Sequence, residues 1–202
     1  TNQPQAPHET SAAVRAPRRD LWQEWLRSLL LFCGASVYVE LCLHLCVYRS
    51  LDRRAVYLVL FGLLGGTVCT LLTTHLPKIA RQIVGVLLVA VQVLFAEVQL
   101  MYHAIFGNFM PISQVSMGGN VITNFDSQIL YSIGKNIVPI LLLLVPLIVM
   151  ILCLTLRKVK VLKVRLGWKQ ALATLGVLLT LLLVTAGIMY AGRNKPFSVY
   201  KT

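Results

Sequence analysis

The stretch Ile129–Leu156, ILYSIGKNIVPILLLLVPLIVMILCLTL, decides the fold of this chain. A helix of about 20 apolar residues crosses the hydrocarbon core of a bilayer, and this stretch is long and apolar enough to do so. Four similar stretches lie on either side of it. They are Leu29–Tyr48, Ala55–Leu76, Ile83–His103 and Ala171–Ala191. We therefore expect an all-α membrane protein with five transmembrane helices.

The composition supports one membrane domain. Of the 202 residues, 57% are hydrophobic and only 13% are charged, and the mean hydropathy is +0.74. Soluble globular proteins are far more polar, and five spans leave no room for a soluble catalytic domain. We expect a disordered cytoplasmic tail over residues 1–20, a transmembrane domain over 21–192, and the start of an extracellular linker over 193–202.

The basic residues predict the orientation. If the N-terminus is cytoplasmic, 12 of the 19 Lys and Arg residues lie on the inside, and six of them fall in the single connector Arg157–Lys169. Because cytoplasmic segments carry the excess of Lys and Arg, we predict a multi-pass plasma-membrane protein with the N-terminus inside and the C-terminus outside. The net charge of +12 is then explained by topology, and nucleic acid is not an expected partner.

The sequence offers no catalytic or metal-binding motif. The five cysteines lie inside predicted spans and lack the spacing of metal ligands. No glycine-rich phosphate loop or nucleophile elbow is present. We predict no catalytic residue and no metal ligand within these residues.

Polar side chains inside the spans gather in the outer half of the membrane under this orientation. Such residues are costly in lipid and usually face a partner or a water-filled cavity. They are Glu40 and His44 in span one, and Glu97, Gln99 and His103 in span three. They could join spans one and three, form an outward-facing pocket for a lipid headgroup, or line a proton path.

Two further features lie on the same predicted side. The turn after span one carries Arg49, Arg53 and Arg54, which either snorkel to the headgroups or gather anionic lipid. After span three, Tyr102, Phe106 and Phe109 follow at i, i+4 and i+7. That spacing predicts an interfacial amphipathic segment over residues 104–128, which either anchors the chain in the interface or contributes to a substrate site.

Glycine and proline predict local packing within the spans. The pair Gly62-x-x-x-Gly66 allows a neighbouring helix to approach closely, and we favour packing within the chain over a dimer interface. Pro139 and Pro146 predict bends in span four, with the freed carbonyl groups satisfied by neighbouring helices.

The loop after span three resembles the lipoteichoic acid synthases of Gram-positive bacteria. The similarity rests on Tyr102-x-x-x-Phe106-x-x-Phe109, a Gln-containing stretch, Gly118-Gly119 and the run into span four. One departure is Asn108, which stands where the family often has an acidic residue. About 40 residues carry the resemblance, and the rest agrees in topology alone.

The resemblance implies an extracytoplasmic phosphoglycerol transferase that builds polyglycerolphosphate from phosphatidylglycerol. A sulfatase-like catalytic domain with a threonine nucleophile and manganese would follow residue 202, because neither occurs in these residues. This part would anchor that enzyme domain and position the lipid, with phosphatidylglycerol as the expected lipid partner. The alternatives are a stand-alone small transporter or flippase, using Glu40, His44 and Glu97, and a non-catalytic subunit of a membrane complex.

Overall fold

The chain folds into six α-helices in the residues that its computed structural model describes, which are 18–50, 55–111, 126–155, 162 and 167–193. The helices are α1 Arg18–Tyr48, α2 Ala55–Thr74, α3 Lys78–Phe106, α4 Asp126–Lys135, α5 Ile137–Thr155 and α6 Trp168–Arg193. All of them except α4 are long and apolar enough to cross a membrane. The prediction of an all-α protein with five spans is confirmed.

Helix α1 stands at the centre of the bundle. It packs against α2, α3 and α5, while α6 packs on the outer side of α2 and α4 lies against α3. The buried core runs along the contact between α1, α3 and α5, where Phe32, Val89, Leu143 and Met150 are almost fully enclosed. Most other apolar side chains point outward, as expected where the surrounding solvent is lipid.

Two glycines of α2 bring it into direct contact with α1. A Cβ atom added at Gly62 would lie 2.8 Å from the Cα of Val37, and one added at Gly66 would lie 2.7 Å from the carbonyl carbon of Phe32. Both distances are too short for a real side chain, so only glycine fits. The prediction that Gly62-x-x-x-Gly66 serves packing within the chain is confirmed.

The predicted span Ile129–Leu156 starts too early. Two helices occupy this stretch, and only the second of them is long enough to cross a membrane. Helix α4 ends at Lys135 and α5 begins at Ile137. Pro139 explains the break, since its ring clashes with the carbonyl group four residues earlier, which belongs to Lys135. The side chain of Asn136 then donates a hydrogen bond of 2.9 Å to the carbonyl oxygen of Ser132, which closes the last turn of α4.

The second proline of this region, Pro146, lies inside α5. Proline has no N–H group, so the carbonyl oxygen of Leu142 loses its helical partner. The hydroxyl group of Tyr38 on α1 donates a hydrogen bond of 3.1 Å to that oxygen. A neighbouring helix therefore satisfies the carbonyl group that the proline leaves open, as expected from the sequence.

This bond predicts a coupling between Tyr38 and Pro146. Tyr38→Phe should destabilise the bundle by about 1 kcal/mol, the usual net value of one hydrogen bond. In a Pro146→Ala background the residue-146 N–H can bond to Leu142, so the cost of Tyr38→Phe should fall towards zero. Unfolding of the four proteins of this double-mutant cycle in mixed micelles measures the coupling. Equal costs in both backgrounds would show that the two residues act independently.

Helices α1 and α3 extend beyond the predicted spans Leu29–Tyr48 and Ile83–His103. The extension of α3 includes Arg81, which lies just before the predicted span Ile83–His103 and is one of the 12 basic residues counted on the inside. In the fold Arg81 is fully buried, and its Nη2 donates a hydrogen bond of 2.9 Å to Oγ of Ser28. Arg81 is therefore a buried residue of α3 rather than part of the segment that connects α2 to α3.

Several predicted features lie outside the described residues. These are most of the N-terminal tail, Arg53 and Arg54, the part of the interfacial segment over residues 112–125, most of the basic connector and most of the C-terminal linker. Of the connector, Leu162 is described and is fully buried. It packs into the core cluster that contains Met150 and Phe32.

Candidate functional site: two clefts at one end of the bundle

Two clefts open at the end of the bundle where α1 and α3 terminate, which we call the Tyr48 end. One is lined by basic residues and the other contains Glu40. The orientation predicted from charge places this end on the outside of the membrane.

The first, which we call the basic cleft, has a volume of about 620 Å³. It lies between the last turns of α1 and α3 and the side of α4. It is lined by Arg49 and Lys135, which are both exposed, and by His103, which is half-buried. No Asp or Glu occurs among its described lining residues. Those residues are Cys46, Val47, Arg49, Leu100, His103, Ala104, Ile105, Tyr131, Ser132, Lys135 and Asn136.

Local backbone geometry places the two cations. Arg49 has φ 55°, a left-handed conformation that ends α1, and its N–H donates a hydrogen bond of 3.0 Å to the carbonyl oxygen of Leu45. Lys135 is the last residue of α4, at the break that Pro139 imposes. Both basic groups therefore lie at the end of a helix, and a run of charges in the sequence does not explain their positions.

The second cleft, which we call the Glu40 cleft, has a volume of about 650 Å³ and lies among α1, α2 and α3. Glu40 and His44, four residues apart on α1, share its wall with apolar and aromatic side chains. Its described lining residues are Ser36, Val39, Glu40, Leu43, His44, Tyr48, Tyr57, Leu58, Phe61, Gly62, Gly65, Gln92, Phe95, Ala96, Gln99 and Phe109. The ring nitrogen Nε2 of His44 is buried and has no hydrogen-bond partner among the described residues.

The two glutamines of this cleft serve the fold. Gln92 accepts a hydrogen bond of 2.9 Å from Ser36 through Oε1 and donates one of 3.0 Å to the sulfur of Cys69 through Nε2. It thereby ties α3 to α1 and α2. Gln99 accepts from the N–H of Met110 at 2.9 Å and donates to its carbonyl oxygen at 3.2 Å. This second pair of bonds holds the chain after α3 against the bundle.

Four aromatic rings stand between the two clefts. His103 belongs to the basic cleft, whereas His44, Tyr48 and Phe109 line the Glu40 cleft. The ring centroids of His103 and Phe109 are 5.2 Å apart, those of His44 and Tyr48 are 4.8 Å apart, and Tyr48 lies 6.4 Å from His103. The clefts therefore share this aromatic cluster as a common wall.

The predicted aromatic stripe is wrong at Phe109. Helix α3 ends at Phe106, and Gly107 adopts φ 73°, the left-handed conformation that terminates a helix. The chain then folds back, so Phe109 packs on Tyr48 instead of continuing one helical face. Tyr102 and Phe106 remain neighbours on α3, with ring centroids 4.5 Å apart and the rings tilted by 37°.

The predicted headgroup residues thus fall into separate groups. Arg49 and His103 line the basic cleft, whereas Glu40, His44, Gln99 and Phe109 line the Glu40 cleft. Neither cleft has Tyr102, Phe106 or Glu97 among its described lining residues. Of the three residues named for a transporter or flippase, Glu40 and His44 therefore line one cleft, whereas Glu97 is in the described lining of neither.

Sequence reasoning missed two features of the polar architecture. Lys135 was not among the predicted site residues, and the break at Pro139 was the signal that could have placed it at a helix end. At the other end of the bundle, Glu24 and Ser28 are buried together with Arg81. Their position just outside the apolar runs concealed this buried cluster.

The described residues contain no group of three or more His, Cys, Asp or Glu side chains that could hold a metal ion. The manganese implied by the sequence resemblance belongs to the catalytic domain expected after residue 202, and we derive no step through a metal. Comparison with known protein families, curated proteins and solved structures gives no match to this chain.

Proposed function

We propose that this chain is the membrane-spanning part of an extracytoplasmic phosphoglycerol transferase similar to the lipoteichoic acid synthases. Its own task would be to anchor the enzyme and to hold the anionic donor lipid at the Tyr48 end. Phosphatidylglycerol is the proposed lipid, and the catalytic domain with its manganese would follow α6. The observation that carries the proposal is that Arg49, His103 and Lys135 line the same cleft.

The chemistry of the basic cleft suits a phosphodiester. Arginine donates through a planar fork that matches phosphate oxygens, and lysine adds a compact positive charge. Exposed Tyr131 and half-buried His103 add further donors along the same wall. Because no described lining residue is acidic, the described wall of the cleft offers a phosphate only neutral and positive neighbours.

The position of the cleft also fits a lipid ligand. It lies at the ends of α1 and α3, where spans of this length reach the headgroup region. Apolar side chains of α4 and α5 that face outward, including Ile133 and Ile137, flank its polar wall. A lipid could place its phosphate between Arg49 and Lys135 while its acyl chains stay in the bilayer.

Retention of lipids by the purified chain tests this proposal. Native mass spectrometry should show preferential retention of phosphatidylglycerol over phosphatidylcholine in the wild type. Arg49→Gln with Lys135→Gln should lower that retention by about 10-fold for each charge removed, the value of a charge-assisted hydrogen bond.

Lys78→Gln with Lys169→Gln provides the matched control, because both lysines are exposed and lie at the opposite end of the bundle. It removes two positive charges without touching the basic cleft and should leave the preference for phosphatidylglycerol unchanged. An equal loss in the control variant would show that net charge alone attracts the lipid. No preference in the wild type would refute the proposal.

A further inference from the structure

The Glu40 cleft differs from the basic cleft in the ligand that it can hold. Its carboxyl group and its mostly apolar wall disfavour a phosphate, which the neighbouring cleft already suits. Glu40 is half-buried, and His44 is nine-tenths buried. The Glu40 cleft therefore needs a ligand of different chemistry.

The polar groups available to a ligand are few. The carboxamides of Gln92 and Gln99 are committed to bonds within the bundle. His44 keeps a ring nitrogen without a partner among the described residues, and leaving such a buried group unsatisfied is costly. Together with the carboxyl group of Glu40, it offers one small polar patch one helical turn long.

A hydroxyl group suits this patch better than a charged group does. It can donate to a carboxylate or accept from a protonated carboxyl group, and it can pair with imidazole in either tautomer. An ammonium group would require a buried ion pair, whose desolvation cost in an apolar cleft is large. The favoured polar partner is therefore an uncharged alcohol.

The rest of the cleft suits an apolar tail. Phe61 of α2 and Phe95 of α3 line it and are half exposed on the outer surface of the bundle. Gly65 leaves space on the α2 side, because a Cβ atom added there would meet only Oγ of Ser36, at 3.9 Å. An acyl chain can therefore reach the polar patch from the lipid phase.

We propose that the Glu40 cleft binds an uncharged lipid with a free hydroxyl group, held by Glu40 and His44, of the diacylglycerol class. This inference rests on the proposed function, since diacylglycerol is what remains of phosphatidylglycerol after its glycerol phosphate is transferred. In that transfer the phosphorus–oxygen bond to diacylglycerol breaks, the acceptor hydroxyl forms the new bond to phosphorus, and a proton ends on the diacylglycerol oxygen. The shared aromatic cluster places the two lipid positions side by side.

Binding of dioleoylglycerol to the whole chain in detergent micelles tests the inference, with phosphatidylglycerol and phosphatidylethanolamine measured in parallel. Glu40→Gln combined with His44→Ala should weaken retention of dioleoylglycerol about 10-fold, as expected for lost hydrogen bonds. Retention of phosphatidylglycerol should not change. Gly65→Leu, which fills the apolar part without altering the polar patch, should also weaken retention of dioleoylglycerol, and thermal unfolding establishes that each variant is folded.

The variant Arg49→Gln with Lys135→Gln separates this inference from the proposed function. It should lose phosphatidylglycerol and keep dioleoylglycerol. If it keeps both lipids, the proposed function is refuted, whereas the binding of dioleoylglycerol in the Glu40 cleft is not. Unchanged retention of dioleoylglycerol in both Glu40-cleft variants would overturn the inference, and so would stronger retention of phosphatidylethanolamine than of dioleoylglycerol by the wild type.

Discussion

Arg81→Leu should destabilise the bundle more than any other single substitution, by about 3–5 kcal/mol, the usual cost of removing one partner of a buried charged pair. Arg81 is fully buried at the end opposite the two clefts. It interacts electrostatically with Glu24 and donates a hydrogen bond to Ser28, whose hydroxyl group donates one of 2.7 Å to the carbonyl oxygen of Glu24. Removing the guanidinium group leaves Glu24 buried beside an apolar side chain. Unfolding by SDS in mixed micelles measures the loss.

A second substitution should reverse most of this effect. When both partners of a buried pair are replaced by uncharged groups, stability is often recovered, so Glu24→Gln with Arg81→Leu should be more stable than Arg81→Leu alone. Lys78→Gln is the control, since Lys78 lies three residues earlier on α3 and is exposed; it should change stability little. A double variant no more stable than the single one would contradict the pairing of Glu24 with Arg81.

Gly66→Ala should have the second largest effect, about 3 kcal/mol, at the upper end of the usual cost of overpacking. The added methyl group would meet backbone atoms of Cys33 and Phe32 on α1, and backbone cannot move aside as a flexible side chain can. Helix α2 would have to shift away from α1, which also moves the wall of the Glu40 cleft. A lower thermal unfolding midpoint in detergent measures the effect.

Gly187→Ala is the matched control for this substitution. Gly187 lies inside α6, and a Cβ atom added there meets nothing within 4 Å. Because alanine favours the helix over glycine by about 0.5–1 kcal/mol, this variant should be as stable as the wild type or slightly more stable. A similar loss in both variants would show that the close approach of α1 and α2 is not the cause.

The five membrane-spanning helices could be predicted from the sequence because apolar length alone decides which segments cross a bilayer. The role of Gly66 could be predicted because close helix contact requires a small residue. Helix ends were harder to place. The break before α5 depends on Pro139, which also looked compatible with a bend inside one long span.

The candidate site could be predicted only in part. Glu40 and His44 were grouped correctly because residues four apart share a helix face. Gln99 was one candidate for headgroup binding; it holds Met110, and that contact depends on how the chain folds back after Gly107. Arg49 and Lys135 line one cleft although their helix ends are far apart in the sequence. Neither arrangement has a local sequence signal.

The most direct measurement of the central claim is photo-crosslinking of the chain in nanodiscs with phosphatidylglycerol that carries a photoreactive group on its head. We predict that crosslinks concentrate in residues 46–49, 100–105 and 131–136, and that Arg49→Gln with Lys135→Gln removes most of them. Photoreactive phosphatidylcholine should label these residues weakly. Labelling that is spread evenly around the bundle, or that survives the double substitution, would contradict a binding site for an anionic lipid headgroup in the basic cleft.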